Sequence, residues 1–254
     1  MEESQPTPFW DSRPRRRPQP AEVLPEEVHQ EVEGVLRRLK LAPKEAAELS
    51  RRGFPPPLAY QAGYRTYGQE AWEKPGKLPM WIRRGGSWVL AAPTGLLIPQ
   101  RDERGLIGGL QVRPREPGEK GKYRQVSSGG FSARVHLSTF GEGSRLWITE
   151  GPLKADIAAL YTGERFVGLP GVSNFRGLPE VVSTLKPREV VLAFDADYKH
   201  NPHVQYSLRR LSELLDGLLL WWAVWEEEDG KGIDDVLVSR GATRIRITRR
   251  PPWS

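Results

Sequence analysis

Three stretches of this sequence end in carboxylates that could work together. An apolar run, Leu-Trp-Ile-Thr (146–149), leads into Glu150-Gly151. A second, Val-Val-Leu-Ala-Phe (190–194), leads into Asp195-Ala196-Asp197. A third, Trp-Trp-Ala-Val-Trp (221–225), opens an acidic loop, EEEDGKGIDD, that closes on Asp234 and Asp235. Side chains alternate along extended backbone, so Asp195 and Asp197 point to one side. Carboxylates gathered in one crevice raise one another's pKa unless a cation stands between them. A hard divalent ion, Mg²⁺ or Mn²⁺, is the simplest compensation. Mg²⁺ takes oxygen ligands, keeps several waters and shares its shell with substrate phosphates. Gly151 leaves room for phosphate or metal beside Glu150.

Each acidic motif alone has rival readings. An EF-hand loop needs Gly at its sixth position, and the sixth residue from Asp195 is His200. A haloacid-dehalogenase-type phosphatase starts at a strand-borne Asp-x-Asp but wants a small hydroxyl or apolar residue where this chain has Lys199. No G-x-x-x-x-G-K-[ST] occurs; Gly230-Lys231-Gly232 is only a fragment of one. His200 and His203 flank Asn201-Pro202, a pattern that favours a turn and helix start over a metal site. The pattern becomes specific when taken jointly, as strand-Glu-Gly followed by strand-Asp-x-Asp in one array.

The elements that must position these acids alternate from residue 146 onward. Strands are predicted at 146–149, 165–168, 189–194 and 218–225. Helices are predicted at 152–161, 178–185, 204–215 and 233–239. Such a rhythm builds a parallel sheet with helices on both faces, and ligands gather at the carboxyl ends of its strands. Upstream, residues 61–145 read as short strands and turns, with runs at 88–91, 95–99 and 106–113. Between 101 and 134, eight Lys or Arg oppose four acids. Residues 21–60 carry a helical hairpin: Val28, Val32, Val35, Leu36 and Leu39 recur at helical spacing, Pro43 suits a second helix start and Gly53 its end. An ordinary packed hairpin is favoured over a DNA-reading helix–turn–helix.

The ends differ in character. Residues 1–20 hold five Pro with Arg13, Arg15, Arg16 and Arg17 among them, which predicts a disordered basic arm, either inert or weakly gripping phosphates. Residues 242–254 hold Arg244, Arg246, Arg249 and Arg250 on a strand-like piece, which either binds phosphates or guards a sheet edge.

Composition narrows the class. The 254 residues are 38% hydrophobic and 28% charged, enough for a real core. Cysteine is absent, which removes disulfides, thiol catalysis and zinc-ribbon patterns. No apolar run approaches the ~20 residues needed to span a bilayer, and the first residues lack a signal-peptide core, so a cytoplasmic protein without a membrane partner is expected. The net charge of +6 allows a polyanionic partner.

Together these residues resemble a Toprim domain, the catalytic fold shared by bacterial primases, topoisomerases and related nucleases. ITEG (148–151) matches its Glu motif and AFDAD (193–197) its Asp-x-Asp motif, while GLPGVSN (168–174) is similar to its glycine-bearing second loop. GLIGGLQVRP (105–114) followed by KYRQVSS (122–128) resembles the basic subdomain beside Toprim in bacterial primases. TEGPLKADIAA, LLIPQRDERGLIGGLQVRP and WEEEDGKGIDDVL look typical of primase-like proteins of plasmids and mobile elements that carry the DUF3854 domain. The resemblance covers roughly residues 30–240.

It implies an α/β fold, a small basic α+β subdomain followed by Toprim, and a metal-dependent nucleotidyltransferase making primers on single-stranded DNA from nucleoside triphosphates. A replicative helicase is an implied partner; zinc is not. Glu150, Asp195 and Asp197 are the implied catalytic residues. With Asp234 and Asp235 they are the implied ligands of Mg²⁺ or Mn²⁺. Arg113, Lys122, Tyr123, Arg124, Lys154 and Lys199 are the residues expected to touch nucleotide or nucleic acid, and Tyr123 or Trp88 could stack bases. The chain departs from bacterial primases in lacking their zinc ribbon and in carrying Tyr198, Lys199 and His200 where they have small residues. A Toprim nuclease and a non-catalytic module recruiting a helicase are the rival readings.

Overall fold

The computed structural model describes residues 24–73, 75–117, 121–127, 133–196 and 200–251. Two sheets and seven α-helices carry the site. Helix α1 (Pro25–Arg37) and helix α2 (Pro43–Arg51) each start on a proline, which suits a first turn whose amide needs no partner. The stretch expected to hold a helical hairpin also contains a third helix, α3 (Pro56–Gln61), entered on proline and too short to show a period. Val28, Val32, Val35 and Leu36 of α1 are buried, so one face of this helix is packed.

Strands β1 (Arg65–Tyr67), β4 (Gly95–Arg101), β5 (Ile107–Pro114) and β6 (Arg124–Gln125) form an antiparallel sheet in the order β1-β4-β5-β6. A hairpin, β2 (Trp81–Arg84) with β3 (Ser87–Leu90), stands beside it. Glu31 of α1 ties the hairpin down: its carboxylate accepts from the Lys77 amide at 2.7 Å and from Trp81 Nε1 at 2.8 Å. Trp88 packs against the core formed by α1, this hairpin and β4–β5, so it is spent on packing.

The second sheet has six strands in the order β12-β11-β10-β8-β9-β7. Its parallel centre is β8 (Leu146–Glu150), β9 (Arg165–Leu169), β10 (Glu189–Leu192) and β11 (Leu219–Val224). Antiparallel strands flank it, β7 (His136–Leu137) on β9 and β12 (Arg246–Thr248) on β11. Both flanking strands come from outside residues 146–241. Helices α4 (Pro152–Thr162), α5 (Leu178–Leu185), α6 (Pro202–Leu214) and α7 (Ile233–Ser239) cover the sheet. Alternation along the strands feeds two cores. Leu146, Ile148, Val190 and Leu192 face α5 and α6, while Trp147, Val191 and Ala193 face α4 and α7. Helix α6 begins where Asn201 accepts from the His203 and Val204 amides, so Asn201 and Pro202 make a helix cap as their sequence suggests.

The two sheets are not loosely joined. Leu153 and Ile157 of α4 share a core with Leu49, Phe54, Tyr64, Leu96 and Ile98. Beside it runs a buried polar chain. The Arg101 amide donates to His136 Nδ1 at 3.0 Å, so the imidazole proton is on Nε2, which donates to Asp156 Oδ1 at 2.9 Å. Tyr64 donates to Asp156 Oδ2 at 2.7 Å. Burial, and then the Asp156 charge, raise the Tyr64 phenol well above its usual range and keep it a donor. Among the described residues no helix is long and apolar enough to cross a membrane. The basic arm at 1–20 lies outside the described residues.

Candidate active site

Glu150 is the last residue of β8, and Asp195 follows β10 by a short step. The two strands are parallel neighbours, with Leu192 opposite Ile148, and the Ala193 amide continues the ladder onto Ile148 O at 2.8 Å. Both acids therefore leave the sheet at its carboxyl end, side by side. The chain turns at Gly151, whose φ of 89° belongs to glycine, and enters α4. That turn puts Lys154, in the first turn of α4, against Asp195: Lys154 Nζ pairs with Asp195 Oδ1. Their side chains are 19% and 10% exposed.

Asp234, in the first turn of α7, comes in from a third direction. Its Oδ2 accepts from Arg52 Nη2 at 2.6 Å, and Arg52 Nη1 donates to Tyr123 Oη at 3.1 Å. Burial works to lower the Arg52 pKa, but Tyr123 and Asp234 outweigh it and the net shift is upward. Asp234 Oδ1 is buried without a hydrogen-bond partner among the described residues. Gly232 marks where that atom points. A Cβ on Gly232 would meet Asp234 Oδ1 at 2.6 Å, Lys154 Nζ at 3.1 Å and Asp195 Oδ1 at 3.2 Å. Two carboxylate oxygens and an ammonium thus stand round one small space that exists because residue 232 has no side chain. Asp235 serves otherwise: its Oδ2 accepts the Gly232 amide at 3.1 Å and caps α7.

A cavity of about 80 Å³ adjoins this point, lined by Gln111, Tyr123, Glu150, Gly151 and Lys154 among others. Of the other basic residues, Arg113 on β5 pairs with Glu48 of α2. Lys122 is exposed and Arg124 is half-buried on β6. Asp197 and Lys199 lie outside the described residues. The structure thus brings Asp195 and Asp234 to Lys154, sets Glu150 and Tyr123 with Lys154 on the adjoining cavity, and engages Arg113 and Asp235 in local pairings.

Among the described residues no three His, Asp or Glu side chains stand together closely enough to hold a metal. The donor set still suits Mg²⁺ or Mn²⁺. Its members are all carboxylate oxygens, one of them is buried and unpartnered, and the space beside it is kept clear by Gly232.

Three contributors escape sequence reasoning. Arg52 ends α2 and meets Asp234 across 182 positions, a contact no local pattern encodes. Gln111 sits in a strand that reads as plain apolar alternation. Gly232 belongs to the Gly-Lys-Gly fragment, where its signal was present but pointed to a phosphate loop.

An open α/β sheet with acids at the carboxyl ends of adjacent strands is thus fused to an antiparallel basic unit. Residues 142–244 match the family model described as Domain of unknown function (DUF3854). No curated protein matches the sequence. The fold is similar to that in "Structure of the DnaG primase catalytic domain bound to ssDNA", at 16% identity over 85% of this chain and 75% of that one, TM-score 0.63. It is similar to the E. coli primase catalytic core at 16% identity over 85% and 77%, TM-score 0.64. The RNA polymerase domain of Mycobacterium tuberculosis primase DnaG, in complex with double-stranded DNA, gives 14% identity over 85% and 77%, TM-score 0.65. At these identities the likeness is one of fold. The DUF3854 match thus falls on the parallel sheet of a chain whose fold is similar to that of primase catalytic cores.

Proposed function

We propose that the protein is a metal-dependent nucleotidyltransferase acting on nucleic acid, a primase-like enzyme that makes primers on single-stranded DNA. The observation that carries this reading is the meeting of Asp195 and Asp234 oxygens at Gly232, at the strand ends where Glu150 also emerges, on a primase-core fold. Glu150, Asp195, Asp197 and Asp234 would hold Mg²⁺ or Mn²⁺. When bound, the cation supplies charge neutralisation for the triphosphate and a more acidic primer 3′-hydroxyl. Asp195 and Asp234 hold their oxygens in place through burial, so little reorganisation accompanies the reaction. Arg52 fixes Asp234 from behind. Lys122, exposed on the basic unit, and Arg124 would meet template phosphates, and Tyr123 lines the cavity where a nucleotide would enter. Its setting would be plasmid or mobile-element replication, beside a helicase, a reading supported by the sequence resemblance alone.

Labelled-nucleotide incorporation on single-stranded DNA with Mg²⁺ or Mn²⁺ tests the proposal. The full chain should make short products, and Asp195→Ala should make none. Nicked DNA without primers would replace this reading by a nuclease. Salt-sensitive DNA binding with no turnover under either metal would leave a recruitment module.

A further inference from the structure

We propose that Lys154 is a tethered counter-ion. It stands beside Asp195 and Asp234 where a divalent ion would sit, and it swings into the adjoining cavity to meet phosphate when that ion arrives at Asp195. The inference rests on the metal-dependent reading above and adds to it an order of events.

Four observations carry it. Lys154 Nζ pairs with Asp195 Oδ1 and stands beside the unpartnered, buried Asp234 Oδ1 at the space left by Gly232. Its own helix does not favour it there. The first turn of α4 is the positive end of the helix dipole and contains no acid, so the helix itself does not hold the ammonium there. An ammonium and a divalent ion cannot both contact one carboxylate oxygen, because their mutual repulsion at such range is large in a partly buried site. Finally, the cavity borders the lysine. Lys154 also lines the cavity beside Glu150, Gly151 and Tyr123, and a four-carbon stem lets its head group cross from one place to the other without moving the helix. The lysine then adds its charge to the phosphate side at the moment the metal replaces it on the acid side. Metal and polyphosphate binding become mutually favourable.

The test is Mn²⁺ binding to the full chain, read from the electron paramagnetic resonance of free Mn²⁺, for wild type and Lys154→Met. Removing the competing ammonium should tighten Mn²⁺ binding by at least about tenfold. Equal or weaker binding by the variant, with measurable binding by wild type, overturns the counter-ion while leaving the metal site standing. No Mn²⁺ binding by either protein overturns both. A wild-type measurement guards against a variant that fails to fold. Acetic anhydride labelling, mapped by mass spectrometry, should rise severalfold at Lys154 on adding Mg²⁺, relative to Lys77, whose side chain is 83% exposed. Unchanged or reduced labelling at Lys154 would sink the proposal.

Discussion

Single carboxylates in this protein are divided between their two oxygens. Asp234 gives Oδ2 to Arg52 and keeps Oδ1 for the site. Arg52→Ala would leave Asp234 buried and uncompensated, at a cost of roughly 3 kcal/mol that a urea midpoint would report. A stability change within error would mean that Asp234 has another partner. Glu45 shows the same economy away from the site. It is 3% exposed, pairs with Arg115 at 2.6 and 3.0 Å, and accepts from Thr66 Oγ1 at 3.1 Å. Burial works to raise its pKa, but the Arg115 and Thr66 hydrogen bonds outweigh that and hold it below its ordinary 4.5. A carboxyl lowered by folding stabilises the native state above its unfolded pKa, and the contribution is lost as pH falls through the lowered value. Glu45→Gln should therefore melt below wild type at neutral pH, with the gap closing as calorimetry is carried down through about pH 4. A gap that stays constant would show that the Glu45 charge contributes nothing.

Elements place these residues by close approach of backbone. Gly232 has φ −105° and ψ 162°, a conformation open to any residue, so Gly232→Ala tests space alone. It should fold, and the displaced oxygens should lower nucleotide incorporation on the order of a hundredfold. Wild-type incorporation would mean that this space is not used. Gly168 of β9 is more constrained: a Cβ there would meet Gly151 O at 2.6 Å and Pro152 Cα at 2.7 Å, both backbone. Gly168→Ala should push the Glu150–Gly151 turn aside and cost about 1–3 kcal/mol in a thermal or urea melt. The parallel centre of the sheet was legible because each buried strand is a short apolar run and each helix carries its own period. Helices at 178–185 and 233–239 fall where their spacing puts them. The two-residue strand β7 was not legible as a member of this sheet, whereas the three-residue β12 falls in the terminal piece expected to be strand-like, its partner unread. Elements that short have no periodicity, and their partners lie far along the chain. The acids at the strand ends were readable for the same reason as the strands. Their tie to Arg52 was not, since it forms only once α2 and α7 have packed.

At the scale of the molecule, the antiparallel unit and the parallel sheet behave as one body because they share a core and the Tyr64–Asp156–His136 chain. Tyr64→Phe would leave Asp156 Oδ2 without its donor, at about 1–3 kcal/mol. Fluorescence and circular dichroism should still report coincident unfolding; two separated transitions would show that the halves fold independently. The outer strand of the sheet bears on a different matter. Strand β12 pairs with β11, Arg246 reaches Glu226 at 3.2 Å, and Arg249 lies 4.7 Å over the Trp221 ring. This arrangement supports the edge-guarding alternative for the terminal arginines. What it covers is Leu-Leu-Trp-Trp-Ala-Val, six uncharged residues of high β propensity with no proline. Such a segment, left with a bare edge, is a template for intermolecular stacking into fibrils. Expression of the chain without residues 245–254 should therefore yield inclusion bodies and thioflavin-positive material, whereas the intact protein stays dispersed.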